Sequence, residues 1–346
     1  MSVSIFQRTR PRAVPRRFSI SLNHSLPYSS ISRANRAPAA AAAVSSQPSV
    51  EPIPTSTPLF PQTQTRPTSQ WNARGDEPIT AETVKALVTN NLSNLGVKNF
   101  LSPEECARMV KIIRTHTIDS YGANVYPPIG KVGVTQFDNQ NDKETYFASV
   151  PSALTLQNRF KTEANIDIIA RVASYLSSVT NTPVRLARET IPSADGSGTE
   201  QKSYFAGLLR LINSSALIHA DYGPFDAPGW EIGSITAQLS WNILLREVEG
   251  GECVIYRRFW QGKSDDERFR QPAPGYGYRR ESVDGVECQV VKPERGELTL
   301  FNSRNFHEVR AVDVARGERY TVSSFIGVLP VKREDGGDGV EIILWS

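Results

Sequence analysis

At 346 residues, 39% of them hydrophobic and 22% charged, the chain is long enough for one large domain with its own core. No apolar run approaches the roughly 18 residues a membrane span needs, so no membrane partner is expected. The net charge of +3 hides an asymmetry: residues 1–75 carry nine Arg, no Lys and one acid (Glu51), a net of +8. Residues 76–346 are therefore left at −5, which gives the body no basic face for nucleic acid.

The tail, residues 1–75, holds ten of the 23 prolines and an alanine run from Ala39 to Ala43. Too little of it is apolar to offset the entropy of ordering, so a disordered segment is expected. Arg8, Arg10, Arg12, Arg16 and Arg17, with no acid before Glu51, also fit an organelle-targeting presequence. The expected location is cytoplasmic, or organellar of mitochondrial type if residues 1–50 act as such a presequence. Cys106, Cys253 and Cys288 are an odd number without metal-type spacing, which speaks for a reducing compartment and against a disulfide framework.

Helical grammar begins at Thr80, an N-cap for Ala81 to Val88. Ser102 caps the next helix, with Pro103 at its first position and Glu105 closing a capping box; Met109, Val110, Ile112 and Ile113 supply its apolar face. A polar loop then leads to a third helix from about Ile166 to Ser178. After Thr182 the pattern turns to β-branched runs broken by Gly, Pro and Asp. Strands are predicted near 204–213, 215–219, 234–245, 252–258, 286–292, 297–301, 307–313, 319–328 and 340–345. Many short strands without intervening helices argue for a sandwich or barrel. The division expected is a tail (1–75), a helical N-terminal support (76–200) and a strand-rich core (201–346). A long polar stretch, residues 262–285, interrupts the strands and contains Tyr276 and Tyr278.

Four histidines are present; His24 lies in the tail and His116 on the second helix, leaving His219 and His307 among the strands. His219 and Asp221 stand two apart at the end of an apolar run, the spacing that puts two side chains on one face of a strand. Two imidazoles and a carboxylate suit a non-haem Fe(II) site with open positions, and they also suit zinc. Alone, the tripeptide is a weak signal and fits better an edge histidine followed by a turn-forming Asp before Gly223-Pro224. Further motifs follow in order: Gly250-Gly251-Glu252, Pro293-Glu294-Arg295-Gly296 through Phe301, His307, and Gly317-Glu318-Arg319-Tyr320-Thr321.

Together with the opening Asn99 to Cys106, these motifs resemble the prolyl-4-hydroxylase-like branch of the 2-oxoglutarate/Fe(II)-dependent oxygenase superfamily, over roughly residues 95–330. Thr321 replaces the usual Ser but keeps a hydroxyl. The resemblance implies a mainly β fold, a double-stranded β-helix (jelly-roll) core with flanking N-terminal α-helices. It implies that His219, Asp221 and His307 hold Fe(II), and that Arg319 pairs with the far carboxylate of 2-oxoglutarate, helped by Thr321. Tyr204 and Asn242 are candidate co-substrate contacts. Tyr222, Phe225, Trp230 and the 262–285 stretch are candidates to cover a substrate. Gly250-Gly251 reads as a tight turn, since no helix N-terminus follows it.

A narrower likeness, in Leu239 to Leu245, Val254 to Trp260 and the closing Leu344-Trp345-Ser346, is to halogenases of free small-molecule natural products. Those enzymes replace the carboxylate of the motif with Gly or Ala to admit chloride; this chain keeps Asp221. The expectation is thus hydroxylation of an unactivated C–H of a small-molecule metabolite of secondary metabolism, using O2 and 2-oxoglutarate, releasing succinate and CO2, with ascorbate as reductant. Desaturation or cyclisation by the same cofactors, a protein or peptide hydroxylase, and a non-catalytic jelly-roll binding module are the competing readings. The oligomeric state is left open.

Overall fold

The computed structural model describes Trp71 and residues 77–346, apart from 123–124, 194–195 and 273–275. The presequence and disordered-tail expectations lie outside the described residues, with one exception: Trp71 is fully buried.

Helices α1 (Ala81–Val88) and α2 (Pro103–Ile113) start at the predicted caps. Thr80 and Ser102 both close capping boxes; the Ser102 hydroxyl accepts the Glu105 N–H at 3.2 Å, and the Glu105 carboxylate accepts the Ser102 N–H at 2.9 Å. Strand β1 (Asn94–Val97) lies between them, and β2 (Asp119–Ser120) and β3 (Gly130–Val132) follow. The predicted polar loop instead holds two helices, α3 (Lys143–Ala153) and α4 (Thr155–Ala164). Pro151 inside α3 and the polar composition of α4, where even Gln157 is buried, mask their periodicity. Helix α5 (Ile168–Thr180) is the third predicted helix. Short strands β4 (Val184–Leu186), β5 (Arg188–Pro192) and β6 (Thr199–Ser203) lead to the core.

The core follows the predicted runs. Its elements are β7 (Leu208–Leu211), β8 (Ala216–His219), α6 (Gly223–Asp226), β9 (Ala237–Leu244), β10 (Cys253–Phe259) and α7 (Lys263–Phe269). Then come β11 (Cys288–Val291), β12 (Leu298–Phe301), β13 (Asn305–Val309), β14 (Tyr320–Lys332) and β15 (Asp338–Trp345). Two sheets form. The larger runs β1-β12-β9-β14-β7-β3-β2, with β15 also on β14 and β4 on β15; the smaller runs β11-β10-β13-β8. All pairs are antiparallel except β15 with β4. Two facing antiparallel sheets of this kind make the jelly roll.

Alternation decides what each face of the larger sheet does. Trp241 and Ile243 of β9, Leu298 and Leu300 of β12, Tyr320 and Val322 of β14 and Leu209 of β7 pack with Met109 of α2, Phe160 of α4 and Val172 of α5. The residues between them face the other way, into a cavity shared with the smaller sheet: Ser240, Asn242, Thr299, Phe301, Thr321 and Arg210. The helices therefore bury the back of the sheet whose front forms the cavity floor. The 262–285 stretch is not simply loop, since it contains α7 and a turn of 3-10 helix at Arg280–Ser282.

Candidate active site

His219 ends β8 and His307 lies in the middle of β13, directly opposite it. Between that pair and the pair Ala216–Val309, β8 uses three residue steps and β13 two, so β8 carries a bulge. The extra residue lets both Ala216 and His219 face the cavity, a common use of a bulge beside a site. Asp221 is already past the end of β8, so the two-residue strand spacing does not place it. Its N–H donates to the Ser303 carbonyl at 2.9 Å, which ties the 221 turn to the turn before β13.

The carboxylate Oδ2 of Asp221 lies 3.9 Å from His219 Nε2 and 3.6 Å from His307 Nε2, and the three ligand atoms fall within 4.8 Å of one another. Two donors each about 2.1 Å from one ion stand no more than about 4.2 Å apart, so both measured separations suit a shared metal. The tautomers suit it too. His219 Nδ1 meets the Leu217 carbonyl at 2.7 Å and His307 Nδ1 the Asn305 carbonyl at 2.9 Å. A carbonyl only accepts, so each Nδ1 carries the proton and each Nε2 lone pair points to the metal position. Burial, and then the nearby His219, hold His307 well below the usual imidazole range, which keeps it neutral as a ligand must be.

Arg319 enters the same cavity at the start of β14, 5% exposed. Gly251 makes this passage: its φ is +72°, and a Cβ there would stand 2.8 Å from Arg319 Cδ and 3.0 Å from Nε. Gly250, at φ +77°, would drive a Cβ to 2.2 Å from the Ala311 carbonyl oxygen, so the pair is a tight turn before β10. Burial lowers the Arg319 guanidinium to about 10, leaving it charged at neutral pH. Among the described residues no carboxylate forms an ion pair with it. Thr321, two residues on, faces the cavity; Thr299 also lines it, with a buried hydroxyl that meets no protein partner. Asn242 lines the floor and donates to Ser240 Oγ at 3.2 Å.

Tyr204, expected as a co-substrate contact, does not line the cavity. The chain from 204 to 207 precedes the strand, and the Tyr204 hydroxyl donates to Glu189 at 2.6 Å from within an aromatic cluster of Tyr146, Phe147 and Trp230. Trp230 likewise packs in that cluster, with its indole N–H on the Gln140 carbonyl, and does not cover the cavity. Tyr222 and Phe225 do line it, as do Arg270, Tyr276 and Tyr278 of the 262–285 stretch. Tyr276 sets its ring edge against His219 at 5.7 Å and accepts the Leu217 N–H at 2.8 Å.

Sequence reasoning missed Arg210. It stands on β7 opposite Thr321, faces the cavity and reaches the Ser323 hydroxyl. The signal was available as a lone charge inside Leu208-Leu209-Arg210-Leu211-Ile212. Asp226 at the end of α6 was missed as well; burial, and then the charge of Asp221, push it up to about 7. The whole cavity encloses about 220 Å³.

A jelly roll holding two histidines and an aspartate at metal-binding separation, with a buried arginine facing the same space, defines a 2-oxoglutarate/Fe(II)-dependent oxygenase. Within that class the chain belongs to the carrier-protein-independent halogenase WelO5 family, whose model matches residues 78–332. The leucinostatins biosynthesis cluster protein S of Purpureocillium lilacinum is 56% identical over 231 residues, 66% of this chain and 90% of that protein. Among solved structures, an N-substituted L-amino acid dioxygenase from Burkholderia ambifaria is 15% identical with a TM-score of 0.46, over 77% of this chain and 91% of that one. A 2OG-Fe(II) oxygenase family oxidoreductase from Burkholderia pseudomallei is 16% identical with a TM-score of 0.39, over 73% and 91%.

Proposed function

We propose that this enzyme hydroxylates an unactivated C–H of a small-molecule metabolite, with Fe(II) held by His219, Asp221 and His307 and 2-oxoglutarate held by Arg319. When bound, the metal supplies, with O2 and 2-oxoglutarate, the oxidising power for C–H cleavage, and the co-substrate leaves as succinate and CO2. The donor set fits the ion: both Nε2 atoms are unprotonated and one carboxylate oxygen approaches both. The floor fits the co-substrate, because Arg319 is a buried cation without an ion-pair partner among the described residues and Thr299 offers an unmatched hydroxyl. Arg319 and Thr321 orient the far carboxylate from one strand face. Arg210 lies close enough to act on both Arg319 and His307 as a positive charge, and so adds to the potential that draws a dianion inward. Asn242 borders the same floor. Tyr222, Phe225, Tyr276 and Tyr278 line the walls and exclude water from the reacting centre.

One observation carries hydroxylation over chlorination: Asp221 places its carboxylate within 4 Å of both histidine nitrogens. The halogenases that the chain resembles replace this carboxylate with Gly or Ala to admit chloride, so its retention in Asp221 supports hydroxylation. The test incubates the Fe(II)-loaded protein with O2, 2-oxoglutarate, chloride and candidate natural-product scaffolds, and analyses products by mass spectrometry. A gain of one oxygen with one succinate per turnover is expected. A chlorinated product from the unaltered chain, or a preparation active with zinc alone, would end this reading.

A further inference from the structure

Trp71 lies seven residues ahead of the family-matched region, which begins at residue 78, yet it is fully buried. What it is buried against is specific. Its ring packs on Ile255 and Phe301, with Cys253 and Val291 beside them. Ile255 is the residue of β10 paired with His307, and Phe301 sets its ring edge to the His307 imidazole at 4.9 Å. The indole thus packs on two of the side chains that confine that imidazole.

A second route joins the same residues through polar atoms. The Trp71 indole N–H donates to Asn90 Oδ1 at 3.0 Å, and the Asn305 side-chain amide donates to the same oxygen at 2.7 Å. The Asn305 backbone carbonyl is the acceptor for His307 Nδ1. Asn90 sits just after α1 in the left-handed region, at φ +59°. Asn302 fastens the neighbouring turn by donating to the Leu87 and Val88 carbonyls at 3.3 and 3.1 Å. The carbonyl that fixes the His307 tautomer is therefore held by a bridge whose outer support is Trp71.

We propose that Trp71 is a positioning residue for His307: a residue ahead of the family-matched region supplies an indole that fixes the ring and the tautomer of one metal ligand. This rests on the reading of His219, Asp221 and His307 as the metal site. Outer-sphere partners of metal-bound histidines commonly matter about 10- to 100-fold in metal affinity. Their effect is on ligand geometry, which a loss of packing elsewhere leaves alone.

The experiment titrates the full-length apoprotein with Co(II), a spectroscopic stand-in for Fe(II), and records both affinity and the visible ligand-field spectrum. Trp71→Ala is expected to weaken binding about tenfold and to change the spectrum. Trp71→Phe keeps most of the ring and loses only the N–H, with an intermediate loss of about threefold. Asn90→Gly tolerates the positive φ, removes the bridge and should weaken binding in the same direction, with Trp71→Phe adding little on top of it. Leu176→Ala, in the helix-backed core, is the control for general destabilisation. The proposal is overturned if Trp71→Ala binds within twofold of the unaltered chain, or if Leu176→Ala at equal loss of Tm weakens binding as much. Should Trp71→Ala not fold, unchanged affinity and spectrum in Trp71→Phe overturn it instead. Asp221→Ala in the same titration separates the premises: if it binds Co(II) normally, the ligand assignment fails and not the role of Trp71 alone.

Discussion

Gly251 and Arg319 share one space: the position a Cβ would take at residue 251 lies 2.8 Å from the Arg319 Cδ. The glycine is needed twice over, for that clearance and for its φ of +72°. Gly251→Ala should push the guanidinium off its line into the cavity. The expected result is a 2-oxoglutarate Kd raised about tenfold, the scale of one charge-assisted hydrogen bond, with metal affinity nearly unchanged. Calorimetric titration of 2-oxoglutarate into the metal-loaded variant reads this directly. Equal losses for metal and co-substrate would point to a collapsed turn and not to a displaced Arg319.

Arg210 was invisible to motif reading because it belongs to no motif, but it faces the triad from β7. Removing its charge while keeping length, in Arg210→Met, should weaken 2-oxoglutarate binding about tenfold, as expected for the loss of one nearby positive charge from the potential that draws the dianion in. Salt should lessen the difference between variant and parent. If the two proteins bind the co-substrate alike at low salt, Arg210 contributes nothing to co-substrate capture.

Tyr204 offers the converse test. Its hydroxyl and the Glu231 N–H, at 2.6 and 2.5 Å, both reach Glu189 Oε1, while Lys143 reaches Oε2 at 2.9 Å. Tyr204→Phe removes one donor from a buried carboxylate and should cost about 2 kcal/mol in chemical denaturation. The Kd for 2-oxoglutarate should stay the same. A weakened Kd in a protein of normal stability would return Tyr204 to the co-substrate contacts.

Much of the fold was legible because the larger sheet separates two functions by alternation. Apolar side chains on β9, β12 and β14 meet helices, and the polar ones between them meet the cavity, so period-two patterns survive in the sequence. Helices α1 and α2 were readable from their caps, and α2 also from its apolar face. Helices α3 and α4 were not, since Pro151 looks like a breaker and α4 presents few apolar residues. At the site, His219 and His307 are brought together by strand register, a long-range fact that only motif order anticipates. The bulge in β8, the turn contact from Asp221 to Ser303 and the burial of Trp71 depend on three-dimensional closure and leave no local pattern. Tyr204 was misplaced because its strand was taken to begin four residues too early.

Asp226 makes the pH dependence of the apoprotein testable with a definite sign. Burial, followed by repulsion from Asp221, raises it to about 7, well above its unfolded value near 3.9. Between those values the folded chain binds a proton that the unfolded chain has lost, so this group makes stability fall as pH rises from about 4 to 7. Above 7 the full cost of ionising a poorly solvated carboxylate is present. Asp226→Asn removes the ionisation and keeps the shape. Its Tm should exceed that of the unaltered apoprotein by a few degrees at pH 8, and the gain should vanish by about pH 4. His307 acts in the opposite sense, because its lowered value makes stability fall as pH drops below about 6.5, but it is common to both proteins and cancels in the difference. A Tm difference that does not change between pH 4 and pH 8 would mean that Asp226 ionises as freely in the folded chain as in the unfolded one.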